Sequence, residues 1–151
     1  MFTETIGPVM IKDNMLVNMG ESYIVTNLQQ EEMSEQDKFD HFLLAQAQAE
    51  EEMSLGGPRN YQLHMPPPKL KLRVFSVSKS SNPDLFCCEH EEQEVVIGRS
   101  PNCDIRIDDE LLSKMQASIY FNTETRDWIL QDGYQGKAST NGTWLYLNEE
   151  I

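Results

Sequence analysis

Residues 94–119 read EVVIGRSPNCDIRIDDELLSKMQASI, and residues 139–144 read STNGTW. In the first stretch the β-branched Val95, Val96 and Ile97 run up to Gly98, and DIRID and QASIYF repeat short apolar runs broken by Asn, Asp, Ser and Gly. Apolar residues at every second place line one face of a strand, whereas a helix would need them every three or four places. Outward from this stretch the pattern continues. KLKLRVFSV, from residue 69, alternates apolar and basic residues between Leu70 and Val77, and DWILQD and TWLYL follow downstream. Short strands separated by turn residues predict a mainly β chain folded as an antiparallel β-sandwich. Its expected core contains Leu72, Val74, Val96, Ile97, Ile105, Ile107, Ile119, Trp128, Leu130 and Trp144.

The rest of the chain divides into two further segments. Residues 1–28 carry PVMIK, MLVNMG and ESYIVTNL, two or three short strands with turn signals at Asp13-Asn14 and Gly20. Residues 29–68 differ in composition, being rich in Glu, Gln and Ala. Ser34 stands three places before Asp37, as in a capping box, and Phe39, Phe42, Leu43 and Ala47 fall near helical spacing. This predicts an acidic helical insertion over residues 34–53, ended by Gly56, Gly57 and Pro58, with Pro66, Pro67 and Pro68 as a stiff connector into the strand at Leu70.

The 151 residues fit one compact domain with an appendage. Lys+Arg 12 against Asp+Glu 25 gives a net charge of -13. Such a surface argues against binding nucleic acid or anionic membrane, both of which require clustered cations. Cations are nevertheless concentrated: residues 1–68 hold 3 bases against 11 acids, and residues 69–151 hold 9 against 14. No apolar run approaches the length needed to span a bilayer, and the first residues lack the basic start and hydrophobic core of a secretion signal. Cys87, Cys88 and Cys103 are odd in number and form no CxxC motif, so they read as free thiols in a reducing, cytoplasmic setting, packed as small apolar core residues. His41, His64 and His90 lie in the helix, the linker and an acidic loop, none beside a nucleophile motif. With no Gly-rich GxxxxGK loop and no metal-ligand spacing, the sequence predicts neither enzyme, cofactor nor metal.

Five pieces occur in fixed order: Ile97-Gly98-Arg99-Ser100, Cys103-Asp104-Ile105, Ser113-Lys114-Met115-Gln116-Ala117, Trp128-Ile129-Leu130-Gln131-Asp132, and Ser139-Thr140-Asn141-Gly142-Thr143-Trp144. Over residues 69–151 this order resembles the forkhead-associated (FHA) domain, a sandwich of FHA/SMAD-like type. The spelling STNGTWLYLNEE is similar to FHA domains of single-celled ciliated eukaryotes.

The resemblance implies a module that reads phosphothreonine in a partner protein or peptide. Arg99 would offer a forked guanidinium to the phosphate, Ser113 a hydroxyl and Lys114 a further charge. Thr140 would be a second phosphate contact, and Asn141 would bond the ligand's backbone. Gly98 would let the chain turn tightly, and Gly142 would supply the left-handed turn. Gln116 stands where the family usually has histidine, a structural brace, and Lys114 stands where it usually has arginine, keeping charge but losing the bidentate fork. The family also continues past the Asn-Gly-Thr strand with a closing hairpin. Residues 11–25 read like that hairpin, so the N-terminal strands are expected to pair with the strand at 144–147 and complete the sandwich. The alternative reading is a phosphate-independent structural adaptor in a larger cytoskeletal or ciliary assembly.

Overall fold

The computed structural model describes residues 1–5, 7–30, 36, 39–40, 42–44, 46–47, 66–77 and 82–146. Residues Met1–Gln30 and Pro67–Ile151 form one unit, and Glu31–Pro66 another. Among the described residues of the first unit the strands are β1 (Phe2–Glu4), β2 (Val9–Met10), β3 (Leu16–Met19), β4 (Ser22–Gln29), β5 (Lys69–Phe75), β6 (Asp84–Cys88), β7 (Val95–Gly98), β8 (Ile105–Arg106), β9 (Ala117–Asn122), β10 (Asp127–Asp132) and β11 (Trp144–Tyr146). They make a six-stranded sheet, β1-β11-β3-β4-β5-β6, and a five-stranded sheet, β2-β10-β9-β7-β8. The fold is the predicted β-sandwich. Its pairings are antiparallel except that of β7 with β8, which run parallel.

Alternation explains the packing. In β5, Leu70, Leu72 and Val74 are buried while Lys71, Arg73 and Phe75 point outward. From the facing sheet Ile97, Ala117, Ile119, Trp128 and Leu130 close on the same core. Each large side chain so buried contributes roughly 1.5–3 kcal/mol of transfer free energy. Trp128 is anchored further by its Nε1, which donates to Pro68 O at 2.8 Å.

Residues 1–30 supply strands to both sheets. β2 pairs with β10 through Leu130↔Val9, and β11 lies between β1 and β3, with Leu145 opposite both Thr3 and Val17. Of the two N-terminal strands expected against β11, only β3 takes that place. β4 lies one position further out, paired with β3 and β5. Asn14 and Gly20 turn the chain with φ of 56° and 57°. Gln29 pairs with Lys69, so the end of β4 and the start of β5 are neighbours.

Three expectations about burial change. Val96 is only half-buried, because Val95 and Ile97 take the inward positions on either side of it. Trp144 is half-buried on the outward face, and Leu145 is the inward residue of β11. Cys88 and Cys103 are buried, but Cys87 is exposed, since it alternates with Cys88 along β6. In the second unit the described residues Gln36, Phe39, Asp40, Phe42–Leu44, Gln46 and Ala47 are helical and exposed. The remainder of the helix expected over 34–53, and its end at Gly56–Pro58, lie outside the described residues, as do His41 and His64.

Candidate functional site

The end of β7 is shaped by a close approach of two backbones. Arg99 N donates to Ser113 O and Ser100 N to Lys114 O, both at 3.2 Å, while Ile107 N donates to Gly98 O at 2.9 Å. A Cβ on residue 98 would stand 2.1 Å from Lys114 O, so only glycine fits. A tight turn is the role that the sequence leads one to expect for Gly98. The structure gives it an ordinary backbone and a steric reason instead, since its φ is not among the positive ones. Arg99 is exposed, with Nε donating to Leu112 O at 3.2 Å. No carboxylate among the described residues pairs with it, and its terminal nitrogens have no protein partner among them.

Ser113 and Lys114 sit on the loop between β8 and β9, held at both ends. At its start Asp109, 2% exposed, accepts from Glu21 N and Ser22 Oγ through Oδ2 (2.9 and 2.8 Å) and from Leu111 N through Oδ1 (3.0 Å). The N-terminal β3–β4 turn therefore anchors the loop that carries Ser113. At its end Gln116, fully buried, accepts from Ser113 N at 3.0 Å through Oε1. Its Nε2 donates to Gly142 O at 2.8 Å and to Thr143 Oγ1 at 3.3 Å. The neutral amide thus makes a brace between the two loops, the task that the resemblance gives to histidine. Cys103 supports the same loop from below, its Sγ 3.1 Å from Lys114 O. Burial raises the Cys103 pKa and keeps it a thiol.

The third loop, between β10 and β11, is organised by Asp132. Its Oδ1 accepts from Ser139 Oγ at 2.6 Å and Thr143 Oγ1 at 2.7 Å, and its Oδ2 from Ser139 N at 3.2 Å. Ser139 Oγ in turn accepts from Gly142 N at 3.0 Å, and Gly142 takes a φ of 83° that favours glycine. Thr140 N donates to Ser113 Oγ at 2.8 Å, joining the second and third loops. Asn141 Nδ2 donates to Leu111 O at 2.8 Å, and its Oδ1 has no protein partner among the described residues.

Arg99, Ser113, Lys114, Thr140 and Asn141 meet on the wall of one open cleft of about 620 Å³. Gly98 and Gly142 lie outside its lining and shape the loops behind it. Lys137, which the sequence reading did not single out, adds a third cation opposite a single acid, Glu110. On a chain of net charge -13 this is a local cationic concentration. The buried Asp109 and the half-buried Asp132 were also missed, because an acid in a turn-rich stretch carries no local sign of what it caps. Hydroxyls, an amide and charged nitrogens aimed into a shallow cleft can hold an oxyanion but offer no nucleophile with an oriented base. Among the described residues no group of three or more His, Cys, Asp or Glu is placed to hold a metal ion.

No curated protein and no solved structure matches the chain. FHA domains are phosphopeptide-binding interaction modules rather than enzymes. The loops that build the cleft coincide with the stretch that a family model recognises: residues 95–150, from β7 through β11, match the FHA domain.

Proposed function

We propose that the chain is a non-enzymatic interaction module that docks a phosphothreonine peptide of a partner protein in the Arg99–Asn141 cleft. The observation that carries this reading is the convergence of Arg99, Ser113, Lys114, Thr140 and Asn141 from three loops, with the Arg99 fork tethered through Nε and its terminal nitrogens open. A phosphate dianion presents two oxygens to such a fork, and charge-assisted bonds of this kind are worth about 1.5–3 kcal/mol each. The Ser113 hydroxyl can rotate from Thr140 Oγ1, 3.3 Å away, toward a third oxygen. Lys114 adds charge without fixed geometry. Asn141 Oδ1 can accept from a peptide N–H, which reads the ligand's backbone beside the phosphate. The rigidity of the cleft comes from Gln116, Asp109 and Asp132, so little ordering entropy remains to be lost on binding.

Matched phosphothreonine, phosphoserine and unphosphorylated peptides from a degenerate library, titrated against wild type and Arg99→Ala, test this. Phosphothreonine peptides should bind best, and the substitution should weaken them about 10- to 100-fold. Equal binding of all three peptide classes, unchanged by the substitution, would leave the chain a phosphate-independent adaptor.

A further inference from the structure

A second cleft, of about 510 Å³, lies on the other side of Arg99. It shares Arg99, Lys114 and Glu110 with the first, and adds Arg106 and Ser100. We propose that Arg106 builds a second anion subsite there, so that the preferred ligand carries a second negatively charged residue flanking the phosphothreonine. This rests on the reading of the first cleft given above.

The placement of Arg106 follows from the parallel pairing of β7 with β8. β7 and β8 run side by side with Gly98 opposite Arg106, which sets Arg106 beside the residue that follows Gly98. Arg106 Nε donates to Arg99 O at 3.4 Å, while Arg99 Nε donates to Leu112 O at 3.2 Å. The two guanidiniums are tethered in series, each through Nε to a backbone carbonyl. Neither has a carboxylate partner among the described residues. Two cations on the wall of one cleft, neither of them paired with a described carboxylate, are a site that an oxyanion stabilises, because it relieves their repulsion and meets both sets of donors. Ser100 contributes a further donor: its Oγ already accepts from Asn102 N at 3.2 Å, which leaves the hydroxyl proton to point elsewhere.

The acids in this cleft are Asp108 and Glu110, against Arg99, Arg106 and Lys114. The balance is positive by one charge if Arg99 and Lys114 are counted, and both of these are shared with the phosphate. The acids therefore disfavour a bulky cluster of negative charge and suit one additional group. The shared wall makes a single peptide the occupant of both clefts. The group recognised is an anionic oxygen pair or triad, from the carboxylate of Asp or Glu or from a second phosphorylated side chain.

The test uses the full chain and fluorescence anisotropy. The probes are a phosphothreonine peptide with neutral flanks, the same peptide with Asp at each of the flanking positions in turn, and the same series with phosphoserine. At one flanking position an acid should strengthen binding about 3- to 10-fold, with phosphoserine at or above Asp if the subsite takes a phosphate and Asp above phosphoserine if it takes a carboxylate. Arg106→Gln should erase that gain while leaving the neutral-flanked peptide within about two-fold, and Arg106→Glu should turn the preference toward Lys at the same position. The inference is overturned if no flanking acid helps, if the gain survives Arg106→Gln, or if Arg106→Gln weakens neutral and acidic peptides equally. Loss of the first reading looks different: Arg99→Ala would then leave the neutral-flanked phosphopeptide unaffected. Circular dichroism on each variant confirms that the sandwich is intact.

Discussion

Gln116→Ala removes the brace between two of the loops that form the cleft. In the native chain the side chain is fully buried and makes three bonds, of which those to Ser113 N (3.0 Å) and Gly142 O (2.8 Å) are the short ones. Thr143 Oγ1 keeps its bond to Asp132 when Gln116 is lost, so the polar damage falls on Ser113 N and Gly142 O. An orphaned buried acceptor such as Gly142 O costs about 1–3 kcal/mol, the part-buried Ser113 N falls at the low end near 1 kcal/mol, and the cavity adds about 1 kcal/mol more, which places the loss at roughly 3–5 kcal/mol. For a unit of this size that is a drop of about 10–20 °C in Tm. Gln116→Leu fills the space and isolates the polar part, at roughly 2–4 kcal/mol. Gln116→His can offer one acceptor to Ser113 N and one donor to Gly142 O, so it should remain within about 1 kcal/mol of wild type at neutral pH. Held neutral by burial, that histidine would bind its proton more readily in the unfolded chain, so the variant's stability should fall as the pH drops below about 6.5. Urea and thermal unfolding of the three variants, followed by circular dichroism, measure these differences. A Gln116→Ala protein within 1 kcal/mol of wild type would refute the reasoning.

Gly98→Ala places a methyl 2.1 Å from Lys114 O and must displace the Ser113–Lys114 loop, so it should destabilise the fold by about 1–3 kcal/mol and weaken phosphopeptide binding more than unfolding midpoints alone suggest. Deleting residues 1–28 removes β1, β2, β3 and nearly all of β4, exposing the core around Leu72 and Leu145 and the open edge of β11, and the product should aggregate or lose cooperative unfolding; a soluble, cooperatively folded truncation would contradict this. Among the thiols only Cys87 is exposed, and it should be alkylated first in the native protein, faster as pH rises because burial and Glu89 raise its pKa. Cys88, pushed up to about 12 mainly by burial, should react only on unfolding, which mass spectrometry of timed iodoacetamide reactions reads directly.

Much of the sandwich is legible because alternation is a local signal. Leu70, Leu72 and Val74 point inward as their spacing requires, and the β9–β10 hairpin follows the same rule. The signal fails where apolar residues are consecutive. Val95-Val96-Ile97 and Trp144-Leu145-Tyr146 can be phased either way, and only the register with Ala117–Ile119 and with Val17 decides which side chain faces in. β1, with three exposed residues, owes its existence to pairing with β11 some 140 positions away and leaves no local trace. At the cleft, the groups offered to a ligand could be named from motif order, as could the brace position of Gln116, while the partners of that brace and the supporting roles of Asp109 and Asp132 could not. Gln116, Asp109 and Asp132 act through partners distant in sequence, and Gly98 is required by a carbonyl that arrives from another loop.

The central claim is that Arg99, Ser113 and Thr140 together hold a phosphorylated threonine. The most direct test is a two-dimensional proton–nitrogen correlation spectrum, with the arginine side-chain region included, recorded while a phosphothreonine peptide and its unphosphorylated twin are titrated into the isotope-labelled chain. The account predicts that the phosphopeptide shifts the Arg99 Nε–H and the amides of Ser113, Lys114, Thr140 and Asn141, saturably and in common, and that the unphosphorylated peptide leaves them in place. Phosphate-dependent shifts confined to other surfaces, or identical shifts with both peptides, would contradict it.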